Sequence, residues 1–417
     1  MRQSAQARQE PETEGAAEAV RIDWVQPPGL LALSLANFLL RVATLGIYHF
    51  WGKTEVRQRL WTAIRLQDEP LEYTGTGREL LIGFLLVFAA VLLPLLVSGY
   101  LFALWLGPLS PWLVAYQVVA YLAVVLLIGV GTYRAQRYRL ARTRWRGIRM
   151  ALGGSSWRYG WTHFWTLLPL ALSLGWAAPW RATRLQSLIT NHMRFGDQPF
   201  QFSAGAGPLY APFAVLWLGT VSVVVVATAL IAPLSAQVGL VAITNGQVAI
   251  GSLGLLKLLG LLYAGFVAAL LAYSIFSAYY RAAQINHFAG HTTLAGASFR
   301  ARTTGGGLIR LAIGNFLIWS IGIAGALLAF AVVGVAIMPA IGSLSLLAQQ
   351  GLVWVLALVL ITVSGLLGPI IQARTTRYIV ERLEIDGAVP LTRIAQGDAH
   401  AIRRGEGLAE AFDIDAF

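Results

Sequence analysis

The sequence contains no cysteine, and charged residues are scarce. Without cysteine, the chain forms no disulfide, holds no thiolate-bound metal and has no cysteine nucleophile. Only 12% of its 417 residues are charged and 57% are hydrophobic, whereas an average soluble domain has about 25% charged residues. This balance argues against an ordinary soluble enzyme and indicates a membrane protein with several spans.

Carboxylates are missing from one place in particular, because none of the 19 Asp and Glu residues lies within a long apolar segment. Proton-coupled carriers commonly place carboxylates at membrane depth, so a carboxylate relay is disfavoured. HExxH, GxSxG and Walker motifs are also absent. His287 and His291 have i,i+4 spacing but no evident third ligand. We therefore expect no enzymatic activity, no catalytic residue, no metal site and no cofactor.

Long apolar segments are the dominant feature of the chain. Eight of them are visible, at 30–51, 80–106, 112–132, 162–180, 208–235, 250–279, 307–336 and 352–373. About 20 apolar residues in a helix are enough to cross ~30 Å of hydrocarbon. Residues 1–19 are polar and lack the apolar core of a signal peptide, so we expect a disordered tail there and a second tail at 397–417.

Basic residues lie beside the apolar segments and give a formal net charge of +12. The positive-inside rule predicts that the basic blocks and both termini are cytoplasmic. Segment 162–180 lies between two basic blocks and is interrupted by Pro169 and Gly175, while segment 30–51 has a matching break at Gly46. We interpret both segments as re-entrant or interfacial broken helices. Eight plain crossings remain the alternative.

An internal repeat supports this interpretation. Residues 44–80 align without a gap with residues 173–209, which lie 129 positions later. Internal repetition constrains the architecture of a chain. The predicted units are repeat 1 at 20–158, repeat 2 at 159–303 and a degenerate repeat 3 at 304–396.

The predicted fold is an all-α polytopic membrane protein. It has about six transmembrane helices in three hairpins plus the two re-entrant helices. Residues 20–25 alternate in polarity, as a short strand does. Similar short runs precede the glycine-rich turns at 74–77, 204–207 and 304–307. We expect them to form small β-turn caps on the cytoplasmic membrane surface.

The first copy of the repeat resembles a known family. Residues 45–53, LGIYHFWGK, are followed by Arg57, Arg59 and the run TGTGREL at 74–80. This pattern resembles the signature of the YjgN-like family. The resemblance implies a multi-pass protein of the bacterial inner membrane with no established activity, and it transfers no catalytic residue. The second copy is looser, because Ala182 replaces Lys53 and Gln186 replaces Arg57.

The repeated breaks form the first candidate site. In transporters, broken helices in corresponding positions of two repeats point to the binding site. The residues predicted to line a substrate or lipid path are Arg41, Gly46, Trp51, Gly175 and Trp180. The function that follows is a transporter or channel for a small or amphiphilic solute.

A basic and aromatic stretch after segment 112–132 forms the second candidate site. Its arginines are Arg134, Arg137, Arg139, Arg142, Arg144, Arg146 and Arg149. Clusters of cations beside a membrane segment attract anionic lipid at roughly 1 kcal/mol each. We call these seven residues the arginine belt. The alternative function is a non-transporting scaffold that binds anionic lipid head groups through this belt, although charge that only sets topology would give the same pattern. Membrane lipids are the expected partners and nucleic acid is not, and the sequence does not specify an oligomeric state.

Overall fold

A computed structural model of the chain describes residues 18–107, 110–237, 242–244, 247–249, 252–341, 351, 365–389 and 394–396. Most of these residues are helical. The helices are α1 (Leu30–Ala43), α2 (His49–Ala63), α3 (Gly77–Val87), α4 (Leu93–Leu106), α5 (Pro111–Arg142), α6 (Ser156–Trp165), α7 (Leu167–Leu172), α8 (Ala178–Thr190), α9 (Tyr210–Gln237), α10 (Ser252–Gly290), α11 (Gly305–Ile341) and α12 (365–380). A π-helical turn at Phe88–Leu92 joins α3 to α4.

Within the described ranges, five helical stretches are long and apolar enough to cross a membrane. They are Gly77–Leu106, Pro111–Arg142, Gly207–Ala232, Leu259–Gly290 and Gly305–Val332. These match the first five predicted crossings. The sixth, at 352–373, falls partly outside the described residues, which resume at 365 in α12. Large apolar side chains on these helices are exposed, for example Leu96 at 65% and Trp105 at 83%, as expected of surfaces that face lipid.

The two predicted broken segments each fold back on themselves. In the first, Leu30 of α1 packs with Val56 and Leu60 of α2, so the two helices run antiparallel around a turn at residues 44–48. In the second, α6 and α7 lead to a turn at residues 173–177, after which α8 returns beside α6. We call these the first and second helical hairpins. With 14 residues, α1 is about 21 Å long and too short to cross alone.

Strands follow many of the helices. They are β1 (Glu18–Ala19), β2 (Ile22–Trp24), β3 (Ile64–Leu66), β4 (Glu69–Pro70), β5 (Glu72–Tyr73), β6 (Thr143–Trp145), β7 (Ile148–Leu152), β8 (Met193–Phe195), β9 (Gln198–Phe202), β10 (Ala242–Thr244), β11 (Gln247–Ala249), β12 (Thr292–Leu294), β13 (Ala297–Ala301), β14 (Leu383–Asp386) and β15 (Ala388–Val389). The alternating stretch at 20–25 thus contains the predicted strand, β2. Glu18–Ala19 pairs with β15, so the predicted disordered tail does not extend to residue 19.

The strands form more than the small caps that the sequence predicts. An antiparallel sheet joins eight of them in the order β14-β13-β12-β9-β8-β7-β6-β5, and β2-β3-β4 forms a second sheet. β14 also contacts β2, so an early and a late strand of the chain lie side by side. The assembly is therefore a helical membrane protein with a substantial β-sheet at one end, rather than purely α.

Two-residue turns close these β-hairpins. Arg146 and Gly147 have φ values of 51° and 75°, and Ala295 and Gly296 have φ values of 48° and 91°. Positive φ at both central residues is the type I′ geometry, which matches the right-handed twist of paired strands. Local turn chemistry therefore sets the register of the β6–β7 and β12–β13 pairs.

One face of the sheet buries a hydrophobic core. Trp145, Phe195, Phe200, Leu294 and Ala297 come from three β-hairpins, and Val20 and Ile394 from either end of the chain cover them. Several helices adjoin this sheet along the chain. Four of them lead into its strands (α5, α8, α10 and α12), and others follow its strands, among them α3, α9 and α11. The adjoining ends of these helices therefore lie on the same side of the molecule.

Candidate functional site

The two breaks have the same backbone geometry. Leu45 and Leu174 both have φ 51°, and the glycines after them, Gly46 and Gly175, have φ 93° and 96°. Each glycine N–H donates to the carbonyl oxygen five residues earlier at 2.8 Å, and each leucine N–H donates to the carbonyl three residues earlier. This is a Schellman motif in which leucine occupies the left-handed position usually taken by glycine. Such a conformation costs about 1–3 kcal/mol per residue, so the surroundings must hold it.

A hydroxyl group stabilises each turn. Thr44 Oγ1 accepts a hydrogen bond from the Tyr48 N–H, and Ser173 Oγ accepts one from the Ala177 N–H, both at 2.9 Å. The turns expose apolar side chains: Leu45 is 95% exposed and Leu174 is 76% exposed. An apolar tip of this kind suits a membrane interior rather than water.

In the first helical hairpin, α1 and α2 pack closely where Gly52 meets the buried side-chain amide of Asn37. Asn37 Nδ2 donates to the Gly52 carbonyl at 3.3 Å, and a Cβ on Gly52 would lie 3.2 Å from Asn37 Cγ. The Arg41 Nη1 atom lies 2.9 Å from the position that a Cβ would take on Gly365 of α12. The predicted path residue Arg41 therefore packs against the last helix.

The second helical hairpin docks on α9. Trp217 Nε1 donates to the Leu174 carbonyl at 2.8 Å, and the rings of Trp217 and Trp176 lie 5.5 Å apart.

Behind this tip, Arg181 is half-buried near His163 and Tyr159. Burial and the charge of Arg181 lower the pKa of His163 to about 4. Burial also raises the pKa of Tyr159 to about 12 and lowers that of Arg181.

Three of the five predicted path residues lie against different helices, and a Cβ on Gly46 would meet no neighbour within 4 Å among the described residues. Arg41 lies beside α12 and Gly175 beside α9. Trp51 packs at the start of α3, where a Cβ on Gly77 would be 2.7 Å from Trp51 Cα, and Trp180 is 41% exposed. The breaks thus have the predicted local geometry, and a shared path between them remains a prediction.

Part of the arginine belt has partners within the protein. Arg137 donates to the carbonyls of Leu152, Gly153 and Gly154 at 2.6–2.9 Å. Arg142 pairs with Glu79, and Arg146 pairs with Glu69 at 2.8 Å. Arg134 Nε approaches Ser156 Oγ at 3.4 Å, and Arg139 lies in the last turn of α5. These contacts join α5 to its surroundings, a structural role that the sequence does not reveal.

The aromatic residues of the belt do not reach the membrane surface. Tyr133 and Tyr138 are 1% exposed and Trp145 is 3% exposed. These three side chains are therefore not exposed for anchoring at the lipid head groups. Trp145 belongs to the core of the sheet, whereas Tyr138 and Tyr133 belong to two other buried clusters. Arg137, Arg142 and Arg146 lie over these rings as cation–π partners.

Arg144 and Arg149 differ from the rest of the belt. They lie directly opposite each other on β6 and β7, with Glu72 of β5 opposite Arg144 on the other side. Like charges in directly opposed positions are destabilising. Arg144 Nε is also buried without a hydrogen-bond partner among the described residues. The pair therefore has the geometry of an anion site, and Arg144 contributes an unmet donor.

Comparison with known proteins agrees with the resemblance found in the sequence. A family model described as "Bacterial protein of unknown function (DUF898)" matches residues 29–411. The inner membrane protein YjgN of Salmonella typhimurium is 43% identical over 56 residues, which cover 13% of this chain and 14% of that protein. No solved structure matches the chain. The predicted YjgN-like relationship is thus confirmed at the level of the family.

Proposed function

The chain belongs to the DUF898 family of bacterial proteins of unknown function, and we propose that it is an inner-membrane scaffold that binds anionic lipid head groups. Both termini are cytoplasmic in this proposal. The name of the Salmonella relative and the five long apolar helices support the membrane assignment. The helix ends that adjoin the sheet lie on one side of the molecule, and the basic residues lie on the same side. This arrangement supports a single cytoplasmic face.

The opposed arginines Arg144 and Arg149 are the observation behind lipid binding. An anionic phosphate between them would relieve their repulsion and accept hydrogen bonds from both guanidinium groups. Glu72 offsets one of the two positive charges, so the three opposed residues Glu72, Arg144 and Arg149 retain a net charge of +1. The scaffold function therefore depends on these two residues rather than on the whole belt.

The test compares arginines on the same β-hairpin. Arg144→Gln with Arg149→Gln should reduce the phosphatidylglycerol adducts that native mass spectrometry detects on the purified protein. Arg146→Gln is the matched control, because Arg146 already pairs with Glu69. Unchanged adducts in the double variant, or an equal loss in the control, would reject lipid binding by this pair.

Transport remains the second candidate, favoured by the position of Arg41. This arginine lies on a short apolar helix and packs against Gly365 of α12. Cations within apolar segments often mark a solute path. Solute or ion flux in proteoliposomes that is abolished by Arg41→Leu would favour transport over a scaffold.

A further inference from the structure

An arginine-rich cleft lies between α11 and α12, and it shares no lining residue with the arginine belt or with either helical hairpin. It consists of two adjoining parts of about 250 and 300 Å³. Its lining residues are Gly307, Arg310, Leu311, Arg374, Arg377, Tyr378, Glu381 and Arg382. A space of this size matches the lower end of small-molecule sites, about 300 Å³.

The charges of the cleft are unbalanced. Four arginines line it against one carboxylate, Glu381, which pairs with Arg377 at 2.7 Å. No ion pair joins Arg310, Arg374 or Arg382 to a carboxylate within the described part of the chain. Three guanidinium groups therefore share an open cleft in which the one carboxylate, Glu381, is paired with Arg377.

Two of these arginines are held in place by neutral groups. Arg374 Nε donates to Asn315 Oδ1 at 3.1 Å. The guanidinium carbon of Arg382 lies 3.8 Å from the centroid of the Tyr378 ring, and its Nη1 donates to the Tyr378 carbonyl at 3.0 Å. These contacts orient the side chains but leave other N–H donors for a ligand. Ordering them in advance lowers the entropic cost of binding.

The start of α11 gives the cleft a close glycine contact and a positive potential. A Cβ on Gly307 would collide with the Tyr378 hydroxyl, so only glycine fits there. Arg310 and Gly307 lie in the first turns of α11, where the helix dipole adds positive potential. Because α11 is one of the candidate membrane spans, this end of the helix lies at the height of lipid head groups.

We propose that this cleft binds a phosphate-bearing group, supplied by the head group of an anionic lipid or by a soluble phosphate. Guanidinium groups suit phosphate because their planar N–H donors match its oxygens in pairs. The site is independent of lipid binding at Arg144 and Arg149, since the two sites share no residue.

Calorimetric titration of the full-length protein in a neutral detergent would test the site. The probes are dihexanoyl phosphatidylglycerol, a dihexanoylglycerol without phosphate, and inorganic phosphate. Arg310→Gln and Arg374→Gln should each weaken binding about tenfold or more, the effect of losing one charge-assisted hydrogen bond. Arg302→Gln is the control, because Arg302 is 64% exposed and pairs with Glu384 at 2.8 Å outside the cleft.

The outcomes separate the sources of the phosphate. Saturable binding of the phosphatidylglycerol alone, weakened by both cleft variants, identifies a lipid head group. Binding of inorganic phosphate, weakened in the same way, identifies a soluble ligand. The proposal is rejected if neither phosphate probe saturates, if the phosphate-free diacylglycerol binds equally well, or if Arg310→Gln binds like the wild type. The titrations are repeated in an Arg144→Gln background, where lipid binding at the belt is weakened, so that failure at the cleft is distinct from failure at the belt.

Discussion

The first and second helical hairpins turn through the same Schellman geometry, yet different side chains fill their interiors. Gly52 closes the first helical hairpin against Asn37, whereas the aligned residue in the second is Arg181. The tips differ as well. Within the described part of the chain, a Cβ built on Gly46 meets no neighbour within 4 Å, whereas one on Gly175 lies 3.7 Å from Trp217 Nε1. The turn therefore depends on local backbone chemistry, and each helical hairpin is stabilised by its own neighbours.

The largest expected effect comes from exchanging the interior residue. Gly52→Arg places a long charged side chain where even a Cβ would be only 3.2 Å from Asn37 Cγ. We expect a loss of about 3 kcal/mol or more in the free energy of unfolding, from overpacking and an unpaired buried charge. Thermal unfolding in detergent measures it.

The control for this exchange is Gly205→Arg, because a Cβ there meets none of the described residues within 4 Å. Equal melting temperatures for the two variants would show that the first helical hairpin tolerates the interior of the second. The distinction between their interiors would then have no energetic meaning.

A smaller effect is expected at the turns themselves. Gly46→Val and Gly175→Val place a β-branched residue at φ values above 90°, at about 1–3 kcal/mol each. Gly175→Val should be the more damaging, since its side chain also meets Trp217. Differential scanning fluorimetry of both variants, beside Gly325→Val in α11, measures the difference.

Gly325 is a suitable reference because, among the described residues, a Cβ there meets nothing within 4 Å. If Gly325→Val lowers the melting temperature as much as the two turn variants, positive φ is not what makes the turn glycines necessary.

The smallest expected effect concerns the docking of the second tip. Trp217→Phe removes the hydrogen bond to the Leu174 carbonyl and should cost about 1 kcal/mol. Trp105→Phe, at a side chain that is 83% exposed, should cost less. Chemical denaturation of both variants would measure this. A greater loss at Trp105 would contradict the role of Trp217 in holding the second tip.

Much of the fold follows from patterns visible in the sequence. The long apolar runs predict five helical stretches that the structure contains, and the Leu-Gly pairs predict where segments 30–51 and 162–180 break. The β-hairpins were only partly predicted, although Arg146-Gly147 between alternating residues is a recognisable turn signal. The union of these β-hairpins in one sheet could not be predicted, because β9 pairs with β12 almost 100 residues later.

The candidate sites were predicted less completely than the fold. Seven arginines in 16 residues suggested a single lipid-binding surface, but pairing with Glu69 and Glu79 uses two of them inside the protein. The basic ends of α11 and α12 were assigned only to membrane topology. These two helix ends form one cleft because α11 and α12, which are separated in the sequence, pack together. Amino-acid composition does not reveal that packing.

By itself, the sequence determined the membrane class, the family and the positions of the breaks, because each depends on local features: hydropathy, a contiguous motif, or a Leu-Gly pair. Only the tertiary structure decided which arginines are paired, which aromatic residues are buried, and which helix ends share a sheet. Those outcomes depend on contacts between residues far apart in the chain, such as Arg146 with Glu69 and Arg374 with Asn315. Whether a charge is paired, and how deeply a side chain is buried, depends on such neighbours rather than on the position of the residue in the sequence.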